Sequence, residues 1–132
     1  MEPVLIFVVD DDVHVQERLQ EALEDSGFTV TLASAGEMAN AVLDADHASF
    51  RAVITDVNLG SDKITGWDVA RHARSLAPEM PIIYMTGASA HEWAALGVPN
   101  SVLIQKPFAV AQVTTALANL LNTGGPTPAA PA

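Results

Sequence analysis

Short continuous apolar runs alternate five times with helically spaced apolar stripes along this chain, and that alternation restricts the fold more than any other feature. The runs fall at residues 4–9, 29–33, 52–56, 82–86 and 102–105. Runs of this length, bounded by turn-forming residues, suit strands buried on both faces. Between them, Val15, Leu19, Ala22 and Leu23 repeat at helical spacing and Gly27 offers a stop. Further helices are predicted over 36–43, over 67–76 before Pro78, and over a short stretch 91–96 closed by Gly97 and Pro99. Val110, Val113, Leu117, Leu120 and Leu121 stripe the last helix. Five such units predict an α/β fold, a doubly wound parallel sheet with helices on both faces and right-handed crossovers. The runs alone leave strand order open. The flavodoxin-like order 2-1-3-4-5 is one of two common solutions, and it sets strand one beside strand three.

Composition bounds the rest. At 132 residues, 49% of them hydrophobic, the chain suits one domain with a proper core. The expected folded unit is 1–122, followed by a flexible Gly/Pro/Ala-rich tail or linker stub, 123–132. There is no cysteine, which excludes disulfides and thiolate metal sites. The opening MEPVLIFVVDDD lacks a basic flank and meets aspartate after a short apolar stretch, so no secretory signal or membrane span is expected and a cytoplasmic protein is the default. A formal charge of −10 with scattered Lys and Arg argues against direct nucleic-acid binding.

The polar residues at the strand ends carry the chemistry. Asp10, Asp11 and Asp12 follow the first run, Asp56 ends the third, Thr86 ends the fourth and Lys106 follows the fifth. In a parallel sheet all of these open at one edge, where such sheets bind ligands. Like charges about 4 Å apart repel by about 1 kcal/mol in water and about 4 kcal/mol at an effective dielectric near 20. Converging carboxylates must therefore protonate, recruit a cation or stay open to solvent. Oxygen donors without His or Cys favour Mg²⁺. Lys106 and Thr86 can bind a phosphoryl oxygen, and a carboxylate can act as nucleophile toward phosphorus. No Gly-rich phosphate loop is present, so the phosphoryl group must come from another molecule. Asp12, directly before the first helix, fits an N-cap better than a metal ligand.

With VVDDD on strand one, ITDVNLG on strand three, YMTG on strand four and QKPF after strand five, the chain resembles a two-component response-regulator receiver domain of the CheY-like type over about residues 3–122. The resemblance implies the strand order 2-1-3-4-5 and makes Asp56 the phosphoacceptor, fed by a phosphohistidine on a sensor histidine kinase or a histidine phosphotransfer protein. It implies Mg²⁺ held by Asp10, Asp11, Asp56 and the backbone carbonyl of Asn58, with Thr86 and Lys106 on the phosphoryl oxygens and a cis bond before Pro107. It also implies a monomer or weak homodimer that assists its own phosphorylation without turning over an external substrate. The output is a switch in partner binding or onward phosphotransfer.

Two departures stand out. Asp56 and Gly66 are ten positions apart, a longer loop than is usual after the phosphoacceptor, with Asp62 and Lys63 read as solvated loop charges. Leu103 stands three residues before Lys106, where many receivers carry an aromatic ring that takes part in the readout. Tyr84, on the same side of strand four as Thr86, is the alternative coupling residue, although packing is the favoured reading. Asn58 and Ala88 occupy positions that tune loss of the phosphoryl group, and Ala88 offers nothing to orient water, so slow to moderate self-dephosphorylation is expected. Trp67 and Trp93, at or near helix starts beside the site loops, read equally as packing anchors or partner contacts. His14, His47, His72 and His91 show no metal-binding spacing. Two rivals remain. One is a receiver fold used only as an interaction module. The other is a haloacid-dehalogenase-like phosphatase built on Asp10 and Asp12, disfavoured because no acidic residue follows Glu92.

Overall fold

Residue alternation along each buried strand divides the core into two layers, one on either face of the sheet. The computed structural model describes residues 3–60 and 63–123. In order these form β1 (Leu5–Val9), α1 (Val13–Asp25), β2 (Thr29–Ala33), α2 (Gly36–Asp46), β3 (Phe50–Asp56), α3 (Gly66–Leu76), β4 (Ile82–Thr86), α4 (Trp93–Leu96), β5 (Val102–Gln105) and α5 (Val110–Thr123). The strands pair in parallel in the order β2-β1-β3-β4-β5. The doubly wound sheet expected from the sequence is therefore present, with β1 beside β3.

One layer joins Phe7, Val9, Val53, Ile82 and Tyr84 of the sheet to Ala39 and Leu43 of α2 and to Val69, Ala70 and Ala73 of α3. The opposite layer joins Ile6, Val8, Ile54, Ile83 and Met85 to Leu19 and Leu23 of α1 and to Val113 and Leu117 of α5. Neighbouring residues on each strand thus serve opposite layers, as the pleat requires. Each fully buried aliphatic side chain contributes about 1.5–3 kcal/mol by leaving water.

Several boundaries differ from the sequence reading. β3 begins at Phe50 rather than residue 52, because Phe50 is buried and stacks on Phe7 at 4.8 Å while Arg51 points to solvent. The β1–β3 register shifts between Leu5 and Ile6, so Arg51 is the extra residue of a bulge. β1 begins one residue late, at Leu5. α2 continues to Asp46, past the last buried apolar residue, Leu43, and Asp44 there meets His72 of α3 at 2.7 Å. α4 is a single turn after a 3₁₀ turn at Ala90–Glu92, and none of its side chains is buried. The expected tail lies outside the described residues from position 124 onward, as do Ser61 and Asp62 of the long loop.

Helix starts aim the loops at the sheet edge. Asp12 caps α1 by accepting from the backbone N–H groups of His14 and Val15, the N-cap role expected of it. Thr65 and Asp68 form a reciprocal capping box at the start of α3. No helix among the described residues is long and apolar enough to cross a membrane.

Candidate functional site

β1 and β3 end side by side, Val9 opposite Thr55, so the chain leaves the sheet at Asp10 and Asp56 as neighbours. Asp10 is fully buried. One of its carboxylate oxygens accepts from the Asp12 backbone N–H at 2.8 Å, the other from Lys106 Nζ at 3.2 Å. Lys106 Nζ also donates to Asp56 Oδ2 at 3.2 Å. Asp11 is exposed at the mouth, and carboxylate oxygens of Asp10, Asp11 and Asp56 all lie within 4.8 Å of one another. Among the described residues, three carboxylates therefore gather beside the Lys106 ammonium.

That imbalance shows in the ionisation of the group. Burial, reinforced by the charge of Asp10 and only partly offset by Lys106, pushes Asp56 from 3.8 up to about 6. Burial likewise raises Asp10, against the Asp12 N–H and Lys106. Burial opposes the charge of Lys106, but the Asp56 and Asp10 carboxylates outweigh it and hold its pKa above the usual lysine value. The donor set, all oxygen and short of positive charge, fits a hard divalent cation such as Mg²⁺.

Backbone geometry holds these tips in place. Gly66 N–H donates to Val57 O at 2.8 Å, and a Cβ at Gly66 would fall on the carbonyl oxygen of Asp56, so α3 can start this close to the strand only with glycine there. Gln16 is a buried polar residue that the sequence reading missed. Its Nε2 donates to Asp10 O at 2.6 Å and to Ala33 O at 3.2 Å, tying the ends of β1 and β2 together. Its signal was a polar side chain on the stripe that Leu19 and Leu23 continue. Lys106 N–H donates to Thr86 O at 2.9 Å, and the Lys106–Pro107 bond is cis.

The other candidates are more dispersed. Thr86 is fully buried at the end of β4, and its Oγ1 accepts from the Ser89 N–H at 3.1 Å. Asn58 is exposed, and its amide reaches Ser89 Oγ at 3.5 Å, linking the loops after β3 and β4. Ala88 is exposed on the second of these loops. Tyr84 and Leu103 are cross-strand partners. Tyr84 is fully buried, packs on Trp67 at 4.6 Å and accepts from Val98 N–H at 3.0 Å, while Leu103 packs against the same core layer. Trp67 is thus a packing anchor, and Trp93 is partly exposed with its Nε1 donating to Ser101. A cavity of about 390 Å³ lined by Asp12, Val15, Arg18, Lys106, Pro107 and Phe108 shares Lys106 with the cluster.

A parallel 2-1-3-4-5 sheet with three acids and a lysine at its carboxyl edge defines a class of signalling domain. The response regulator receiver domain family matches residues 6–118, and the chain belongs to it. Response regulator MprA of Mycolicibacterium vanbaalenii is 32% identical over 126 residues, covering 94% of this chain and 53% of that protein. The transcriptional regulatory protein CusR of Escherichia coli is 31% identical over 121 residues, 90% of this chain and 52% of that protein. The chain thus spans about half the length of the curated relatives it matches. A response regulator receiver protein from Sinorhizobium medicae superposes with a TM-score of 0.89 at 40% identity, covering 94% of this chain and 98% of that one. These relatives are regulators rather than turnover enzymes. The expectation of no contact with nucleic acid gains no support from them, since CusR is a transcriptional regulatory protein.

Proposed function

We propose that Asp56 accepts a phosphoryl group from a phosphohistidine of a sensor histidine kinase or histidine phosphotransfer protein. The observation that carries this reading is the convergence of Asp10, Asp11 and Asp56 around Lys106 at one sheet edge. A carboxylate oxygen of Asp56 forms the new O–P bond as the P–N bond breaks, the bonding pair returning to the donor imidazole, which takes a proton from solvent. With its pKa near 6, Asp56 is mostly ionised at neutral pH and available as a nucleophile. Lys106, already paired with Asp56, neutralises a phosphoryl oxygen, and Thr86 gives its hydroxyl hydrogen to another.

Asp10, Asp11, Asp56 and the backbone carbonyl of Asn58 would hold Mg²⁺. The metal supplies positive charge against the transferring group. Asn58 and Ala88 flank the path of attacking water, and Ala88 has no group to orient it, which favours a slowly lost phosphoryl group. Phosphorylation biases a two-state equilibrium that changes partner binding or passes the group onward. Residues 1–122 act as one receiver unit, monomeric or weakly dimeric, in the cytoplasm.

Incubation of the purified protein with acetyl phosphate and Mg²⁺, followed by intact-mass measurement, tests the reading. One added phosphoryl group that disappears in Asp56→Asn is the expected result. A folded wild-type protein that accepts none, from acetyl phosphate or from a panel of phosphorylated kinases, overturns it in favour of a pure interaction module.

A further inference from the structure

The long loop after β3 touches the acidic cluster at a place none of the polar motifs identifies. Gly60 takes the left-handed φ of +73°, and a Cβ built on it would lie 2.8 Å from Asp11 Oδ2 and 3.7 Å from its Cγ. The loop is held against the domain a few residues further on. Ile64 packs against the core and sits so close to Gly36, at the start of α2, that a Cβ there would meet its Cγ2 at 2.5 Å. The exposed Asp11 carboxylate therefore occupies the space that a side chain at residue 60 would take, and the loop is anchored beyond it at Ile64.

We infer that Gly60 is a positioning residue for divalent-cation binding, keeping the Asp11 carboxylate turned toward Asp10 and Asp56 by leaving the space a side chain would take. This rests on the reading of the acidic pocket as a Mg²⁺ site. A methyl group at residue 60 would crowd the observed position of Asp11 Oδ2, so one of the two must shift. Asp11 is the exposed, flexible partner, so its carboxylate gives way while the strand ends stay in place. The consequence falls on the ligand set and leaves the core alone. Gly27 supplies an internal control: it has a φ of +96°, yet a Cβ there meets nothing within 4 Å. Alanine at Gly27 reproduces the backbone strain without the collision.

The experiment is Mg²⁺ titration by calorimetry of metal-stripped protein, with the metal-free thermal midpoint recorded for each variant. Gly60→Ala is expected to weaken Mg²⁺ about tenfold, the low end of the effect of residues that orient ligands. Gly27→Ala lowers the midpoint and leaves the Mg²⁺ affinity at its wild-type value. In an Asp11→Asn background, Gly60→Ala is expected to change affinity by less than about twofold, because the two act through one carboxylate. Gly60→Asn, which carries the same Cβ with better tolerance of left-handed backbone, repeats the test should the alanine variant not fold. Wild-type affinity in Gly60→Ala alongside a clear loss in Asp11→Asn overturns the role of Gly60 and spares the pocket. A wild-type protein that binds no Mg²⁺, or an Asp11→Asn variant that binds it normally, overturns both.

Discussion

Replacing Asp56 with asparagine should make the metal-free protein more stable, although it removes the proposed phosphoacceptor. Folding moves this carboxyl from 3.8 to about 6, chiefly by burial and then by the charge of Asp10. Two pKa units correspond to a ceiling of about 3 kcal/mol against the folded state when the group is ionised. Lys106 loses one partner in the variant but keeps Asp10, and solvent at the open side of the cluster screens the repulsion, so about 1–2 kcal/mol is expected. The sign follows from proton binding. Between pH 4 and 6 the folded state holds a proton that the unfolded state has released, so wild-type stability from this group rises as pH falls through 6. The penalty is complete above pH 6 and gone near the unfolded value. Asparagine has no such dependence. Urea unfolding with a chelator at pH 7.5, 6 and 4.5 should therefore show the variant ahead by about 1–2 kcal/mol at pH 7.5, a margin that closes as the pH falls. Adding Mg²⁺ at ten times its dissociation constant should stabilise wild type by about 1.4 kcal/mol and narrow the gap. A variant no more stable than wild type at pH 7.5 without metal, or a margin indifferent to pH, refutes the account of the charge cluster.

Other perturbations probe other parts of the same frame. Lys106→Met leaves Asp10 buried without its cation and should cost about 3 kcal/mol near neutral pH, less in acid where the carboxyls protonate, as urea titration at two pH values will show. Tyr84→Phe strands the buried Val98 N–H and should lower stability by about 1–2 kcal/mol while leaving acetyl-phosphate labelling intact, which chemical unfolding and mass measurement check together. Gly66→Ala drives a methyl into the Asp56 carbonyl and should reduce both the thermal midpoint and the rate of labelling; an unchanged rate would show that α3 can retreat without moving Asp56.

Apolar runs revealed the strands because the sheet is covered on both sides, so β2, β4 and β5 agree residue for residue with the runs that predict them. Phe50 escaped the same reading because Arg51 interrupts the run, and a bulge facing solvent leaves no mark on hydrophobicity. The acids, the lysine and the threonine stood out by their position at or just after the strand ends. The hydrogen bonds from α3 to the end of α4, to Pro99 and to the segment before β4 were not. Arg71 donates to Leu96 O, and Arg74 donates to Met80 O and Pro99 O. An arginine on a helix surface gives no hint of a carbonyl twenty-five residues away. The crowding around Gly60 and Gly66 was not legible either, since what each must avoid touching belongs to another loop or strand.

The uneven distribution of polarity explains how one edge of a well-packed sheet can act while the rest stays fixed. Along β1, Ile6 to Val9 are fully buried and apolar, and the very next residue is a fully buried acid. β3 runs through Val53 and Ile54 to Asp56, and β4 through Met85 to Thr86, with the same abrupt change. Burial that stabilises the strands is what raises Asp10 and Asp56, so packing and charge repulsion meet within one residue of each other. The repulsion cannot relax by moving the strands, because their apolar side chains are locked into two layers. It can relax only by proton uptake, by cation binding, or by movement of Asp11 and the loops that carry Asn58, Gly60 and Ser89. A change of charge at Asp56 is therefore accommodated first in those loops, which meet where the Asn58 amide lies 3.5 Å from Ser89 Oγ.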